Sequence, residues 1–188
     1  MRLLLHSCCA PCSTVALERL IAAGHELAVF YCNPNIYPET EYEKRLSEQQ
    51  RLLAKLSLAD TPIELITPPY DHAAFLNAVR GLEDEPEGGE RCRRCFELRM
   101  RETARVASER GFEAITSSIT TGPRKRAADV NAAGQVASLE FGVTWLAEDF
   151  KKRDGYKRSI ELSKNHSLYR QTYCGCFFAA RFGRPTGL

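Results

Sequence analysis

The stretch RLLLHSCCAPCSTVALERLIAAG, residues 2–24, decides the fold. Residues 2–6 are a short apolar run that stops at two adjacent cysteines. Val15, Ala16, Leu17, Leu20 and Ile21 then recur at helical spacing, and Gly24 supplies a C-terminal stop. The segment reads as strand, cysteine loop, helix. The same alternation continues outward. Residues 26–31 form a second buried strand ending at Cys32, and a polar helix over 39–56 follows the loop of Pro34 and Pro38. Residues 63–66 make a third strand, 71–79 a helix, 83–90 an acidic loop and 91–110 a longer helix ending at Gly111. Strand, helix and strand over 114–118, 126–139 and 143–147 complete the series. Such repetition predicts an α/β fold, a Rossmann-like parallel sheet with helices on both faces.

The 188 residues suit one domain and bury a core without crosslinks. Residues 1–148 carry the alternating pattern, and 149–188 depart from it. From Lys151 onward there are nine Lys or Arg against Asp154 and Glu161, a net +7, so the first 150 residues carry −5. Phe150, Tyr156, Tyr169, Tyr173, Phe177, Phe178 and Phe182 lie among these cations. A basic, aromatic segment with no clear period is expected to be irregular and to meet a polyanion. Leu3-Leu4-Leu5 is too short for a secretory h-region, and no apolar run is long enough to span a bilayer. The expected setting is the cytoplasm, without membrane contact.

In a reducing compartment the eight cysteines read as metal ligands or redox thiols. Cys8, Cys9 and Cys32 follow strands, where open α/β sheets bind ligands. Cys92 and Cys95 share one face at the start of a helix, whose N-terminus favours thiolate. By count, Cys8, Cys9, Cys92 and Cys95 suit tetrahedral zinc or a cubane iron–sulfur cluster. Adjacent cysteines are awkward on one zinc ion and easier on different irons, which favours the cluster. Cys174-Gly175-Cys176 suits a strained disulfide in a redox relay, or a second metal together with Cys12. Position 15 is Val15, so no radical-type CxxxCxxC triplet exists, and there is no GxxxxGK[ST], GxGxxG or HExxH.

His6-Ser7-Cys8-Cys9-Ala10-Pro11-Cys12, Tyr31-Cys32-Asn33-Pro34-Asn35-Ile36 and Glu87-Gly88-Gly89-Glu90-Arg91-Cys92-Arg93-Arg94-Cys95-Phe96 resemble the QueH-type epoxyqueuosine reductases. Asp149-Phe150-Lys151-Lys152, Gly155-Tyr156, Ser159-Ile160-Glu161-Leu162-Ser163-Lys164 and the run from Leu168 to Cys176 are similar to that family's C-terminal signature. The resemblance implies reduction of the epoxide of epoxyqueuosine in a tRNA anticodon loop to the alkene, the last step of queuosine synthesis. It also implies a 4Fe-4S cluster on Cys8, Cys9, Cys92 and Cys95, and a fold like the PP-loop ATPases. Here Cys-Cys-Ala-Pro-Cys replaces their Ser-Gly-Gly phosphate cradle, so ATP use is not expected. Some members hold a second metal, a second adjacent iron, with an aspartate where this chain has Cys12.

Removing an epoxide oxygen as water takes two electrons and two protons. Cys174 and Cys176, or an external electron donor, are expected to supply the second electron. His6 is the natural acid, or else a structural strand-end histidine, and Tyr156, Tyr169 and Tyr173 are further donors. Lys151, Lys152, Arg153, Lys157, Arg158 and Arg170 are candidates for tRNA phosphate contact, extended by Arg124-Lys125-Arg126. The segment 149–188 is thereby expected to complete the active site. The competing readings are a zinc-stabilised RNA-binding protein without redox activity and a thiol-disulfide oxidoreductase using Cys9 and Cys12.

Overall fold

Strand β1 (Arg2–His6) has Leu3, Leu4 and Leu5 fully buried, because both faces of the sheet are covered at its centre. The computed structural model describes residues 1–56 and 62–181, with side chains given to 179, so Phe182 lies outside the described residues. Leu4 joins Phe30, Met100, Ile115 and Trp145 in one apolar cluster. Leu3 and Leu5 join Val29, Leu17, Leu52 and Phe150 in the other. The strand's period of two thus sends neighbours to opposite layers.

Helix α1 (Ala10–Ala22), strand β2 (Glu26–Phe30), helix α2 (Glu39–Leu56) and strand β3 (Glu64–Ile66) follow. Helices α3 (His72–Ala78) and α4 (Glu90–Glu109), strand β4 (Ala114–Ser117), helix α5 (Ala127–Phe141) and strand β5 (Thr144–Trp145) complete the alternating part. All five strands are parallel, in the order β3-β2-β1-β4-β5, with Leu3 beside Leu27 on one side and Ala114 on the other. Helices α4 and α5 pack together on one face, and α1 and α2 lie in the other layer. Pro11 sits in the first turn of α1, where its missing N–H costs nothing. Gly142 ends α5 at φ 69°. No helix among the described residues is long and apolar enough to cross a membrane.

The segment after residue 148 holds an element its sequence did not reveal. Helix α6 (Gly155–Asn165) lies on α1, burying Gly155, Ser159, Leu162 and Ser163. Three of those four are Gly or Ser, so the face that meets α1 offers little apolar surface beyond Leu162. Beyond α6 the chain runs irregularly to a short helix α7 (Phe177–Arg181). Arginines of the α/β core hold its carbonyls: Arg19 those of Phe150, Lys152 and Arg153, Arg51 those of His166 and Ser167, and Arg45 those of Tyr173 and Cys174.

In α5, a Cβ on Gly134 would lie 2.4 Å from the Trp145 ring, which Asn131 Oδ1 fixes by accepting from its indole N–H at 3.1 Å. An exposed helical Gly→Ala change gains roughly 0.5–1 kcal/mol. Overpacking costs about 1–3 kcal/mol. Gly134→Ala is therefore expected to destabilise the protein, read as a lower urea midpoint at unchanged m-value.

Candidate active site

The backbone after β1 is fixed before any cysteine is reached. Ser7 N–H donates to Phe30 O at 2.8 Å, and Asn33 Nδ2 donates to Ser7 O at 2.8 Å. Ser7 Oγ lies 2.7 Å from both Ser13 Oγ and Gln49 Oε1. Cys8 N–H donates to Ser118 Oγ at 3.2 Å, and Thr121 Oγ1 donates to Cys12 O at 3.0 Å. Held in this way, the sulfurs of Cys8, Cys9 and Cys12 all lie within 4.8 Å of one another, an arrangement able to bind metal. Cys9 caps the N-terminus of α1, and Cys12 sits in its first turn.

The three thiols share their protons unequally. Burial opposes ionisation of Cys9, but hydrogen bonds from Cys12 and Cys8 and the charge of Arg45 outweigh it and hold Cys9 well below the ordinary thiol range. Those same contacts with Cys8 and Cys9 push Cys12 up. Gln171 Nε2 donates to Cys9 Sγ at 2.8 Å, so a residue of the C-terminal segment touches the cysteine loop directly.

A pocket of about 640 Å³, including its mouth, opens beside this group. Its lining includes Cys8, Cys12, Arg99, Lys125, Gln171 and Cys174. Arg99 is 4% exposed, and its hydrogen bonds go to neutral acceptors, Cys95 O and Asn33 Oδ1. It forms no ion pair with a carboxylate among the described residues. Lys125 Nζ donates to Glu87 Oε1 at 2.8 Å and to Cys174 Sγ at 3.4 Å. Burial disfavours the Cys174 thiolate, yet Lys125 and Arg99 overcome it and lower its pKa, while burial and the Cys174 charge raise that of Cys176. Asn35 Oδ1 and Gln171 Oε1 belong to buried lining residues and accept from no group among the described residues.

The other expected residues are placed as follows. Cys92 packs on the same core cluster as Cys8, and its sulfur accepts from Gly88 N–H at 3.2 Å. Cys95 packs with Phe75, Cys176 and Phe178, and burial raises its pKa to about 12. Cys92 and Cys95 stand outside the close trio. His6 is fully buried between Ser117 Oγ and Cys32 O, each 3.0 Å from a ring nitrogen. Burial, then Arg99, lower its pKa to about 4, so the ring is neutral and engaged at both nitrogens, as a strand-end histidine. Tyr156, in the first turn of α6, is not among the residues lining the pocket, whereas Tyr173 is.

Of the candidate RNA contacts, Lys152, Arg153 and Lys157 are exposed. Lys151 bonds Asp149 and Lys125 O, Arg158 pairs with Glu18 and Glu161, and Arg170 Nη1 reaches Ser159 O and Ser163 Oγ. Arg99, Arg45 and Gln171 carry the electrostatics of the pocket without having stood out in the sequence. Arg99 had one signal, since it lies four residues after Cys95 on the same helical face.

A family model described as epoxyqueuosine reductase QueH matches residues 3–181. A protein of Streptococcus pyogenes serotype M1 named epoxyqueuosine reductase QueH is 38% identical over 180 residues, covering 95% of this chain and 70% of that one. Its namesake in Staphylococcus epidermidis is 40% identical over 182 residues, covering 95% and 76%. A Methanocaldococcus jannaschii structure, titled a predicted subunit of tRNA methyltransferase, aligns at TM-score 0.53 and 12% identity over 87% of this chain and 76% of that one. That likeness bears on the fold alone, a parallel α/β sheet flanked by helices.

Alkylation needs the thiolate, and Lys125 favours it at Cys174. Lys125→Met is expected to move the alkylation profile of Cys174 to higher pH and slow it at neutral pH. Peptide mapping after iodoacetamide at a series of pH values reads this residue separately from the other seven cysteines.

Proposed function

The chain belongs to the QueH epoxyqueuosine reductase family, and from that premise we propose that it reduces the epoxide of epoxyqueuosine in a tRNA loop to the alkene of queuosine, with a 4Fe-4S cluster on Cys8, Cys9, Cys92 and Cys95. The observation that carries this reading is the close cysteine trio at the end of the central strand, of which Cys8 and Cys12 line a pocket together with Cys174. The residues fit an anionic cluster. Arg99 and Arg45 are buried beside the thiols, and Arg99 lacks a carboxylate. A buried cation in that state is costly unless a negative group is present, and thiolate-ligated iron–sulfur supplies one.

When bound, the cluster passes electrons one at a time. Cys174 and Cys176 are proposed as the two-electron store. Oxidation of the Cys174 thiolate and the Cys176 thiol to a disulfide releases two electrons and one proton; with a second proton from solvent this balances loss of the epoxide oxygen as water, and an external donor restores the pair. Lys125 stays charged because Cys174 and Glu87 outweigh its burial, and it offsets the negative charge that builds on the departing oxygen. Asn35 Oδ1 and Gln171 Oε1 receive N–H or O–H groups of the substrate, since otherwise both remain buried and unpaired. His6 holds the end of β1 in register and is not assigned the proton. Cys12, beside Cys8 and Cys9, is the ligand nearest to hand for a second iron.

Lys152, Arg153 and Lys157 are proposed to meet tRNA phosphates, and Lys151, Arg158 and Arg170 to order the segment that bears them. Changing the first three to Gln is expected to lower the slope of log affinity against log salt by about 2, measured by filter binding.

Anaerobic reconstitution with iron and sulfide is expected to give a brown protein with broad visible absorption that converts tRNA bearing epoxyqueuosine. Cys92→Ala should lose both colour and turnover. Cys174→Ser and Cys176→Ser should keep the colour and lose turnover. Mass spectrometry of nucleosides from digested tRNA reads the conversion, and a Cys92→Ala enzyme that keeps the brown colour with wild-type iron content, or keeps full activity, contradicts the ligand set.

A further inference from the structure

Tyr37 is 45% exposed and Phe177 is 37% exposed, and the two rings meet edge to face at 5.3 Å. Exposed aromatic rings on a soluble surface carry a hydrophobic cost that a partner relieves. These two are not loose. Tyr37 stacks on His72 at 5.2 Å, and His72 stacks in turn on Tyr70 at 6.2 Å with the rings 15° apart. Tyr70 packs on Tyr42 at 4.5 Å, inside a buried cluster with Tyr31 and Ile36. His72 Nδ1 lies 2.7 Å from Pro34 O, and Tyr70 Oη donates to Ile36 O at 2.6 Å. Phe177 is backed by Phe178, which reaches Phe75. A ladder of rings therefore runs from the core to the surface and fixes the pose of its two outermost members.

This ladder ends at the pocket. Tyr173, which lines the pocket, donates its hydroxyl to Tyr37 O at 2.9 Å, and Tyr37 N–H donates to Gly175 O at 2.9 Å. Ile36 and Cys176 form an antiparallel bridge. The exposed rings are thus continuous with the Cys174-Gly175-Cys176 turn. The pocket is also lined by Arg124 and Lys125, whereas none of the ring-bearing residues at the surface is a permanent cation. A base can enter the pocket only if it leaves the stack of its loop, which strips its neighbours of their own stacking partners.

We propose that Tyr37 and Phe177, backed by His72 and Phe178, form a rigid stacking platform for the unpaired nucleotides flanking the target base, an inference that rests on the tRNA reading above. Each nucleotide keeps a stacking surface when the target base is withdrawn, so the platform lowers the cost of splaying the loop. Stacking tolerates any base, and phosphate contact is left to the cations elsewhere.

The test uses an anticodon stem-loop RNA without the epoxide, carrying 2-aminopurine next to the target position. Binding of the reconstituted wild-type enzyme and of Tyr37→Phe is expected to quench its fluorescence. Tyr37→Leu and Phe177→Leu should abolish most of the quench and weaken binding by about 10-fold or more. Their salt slope should stay unchanged, which separates stacking from loss of phosphate contact. Wild-type quench and affinity in the double leucine variant, with wild-type circular dichroism, would overturn the platform while leaving the tRNA reading intact. So would a wild-type dimer that the double variant breaks while RNA binding is unchanged. Failure of the wild-type enzyme to bind the stem-loop at all would overturn both.

Discussion

A strand buried on both faces has nowhere to project chemistry except from its end. β1 is such a strand, with three consecutive leucines inaccessible to water and parallel partners on either side. Its register against β2 and β4 sets where Ser7, Cys8 and Cys9 emerge, to within one residue. A slip of one position would exchange the two apolar layers, whose contents are not interchangeable: one carries Met100 and Trp145, the other Leu17 and Phe150. The precision of the cysteine loop is inherited from that mismatch. His6, neutral and bonded to Ser117 and to Cys32 O, ties the ends of β1, β2 and β4 together at the edge where the pocket begins.

The second half of the site arrives from far along the chain, and here the organising force is different. Phe150, Leu162, Leu168 and Phe178 bury apolar side chains of the last segment, but they do not fix the course of the irregular backbone between them. Guanidinium groups of α1 and α2 do so by collecting carbonyl oxygens that an irregular backbone would otherwise leave unpaired. Arg45 is the one nearest the chemistry. It is 2% exposed, balanced by Glu41 at 2.7 Å, and it binds the carbonyls on both sides of the Tyr173–Cys174 peptide while its charge stabilises the Cys9 thiolate. One side chain therefore positions one thiol and tunes another.

The parts of this arrangement legible in the sequence are those encoded by local pattern. Apolar runs bounded by Gly, Pro and Cys marked β1 to β4 and the helices between them, since burial on both faces leaves a continuous hydrophobic signature. The cysteine groups also stood out, because reactive residue types at short spacing are visible without a structure. Helix α6 was missed because Gly155, Ser159 and Ser163 form most of its buried face, which leaves Leu162 as its buried apolar side chain. Gln171 and Arg45 were hidden for another reason, since their importance lies in partners 162 and 128–129 positions away. The cysteine motifs named the chemistry, whereas Arg45 and Arg99, which make it electrostatically tenable, are ordinary arginines until they are seen buried beside the thiols.

The arginine clamps also bear on how the segment can change over evolutionary time. Carbonyl oxygens are identical at every residue, so Arg19, Arg45 and Arg51 hold the path of the chain with little regard to the side chains along it. Substitutions at its exposed positions are cheap, whereas those at Gln171, Cys174 and the buried Gly155 and Phe150 are not. Insertions and deletions are not cheap, because each would shift which peptide meets which guanidinium and displace Cys174 from Lys125. The segment is thus constrained in length throughout and permissive in composition only where its side chains face solvent.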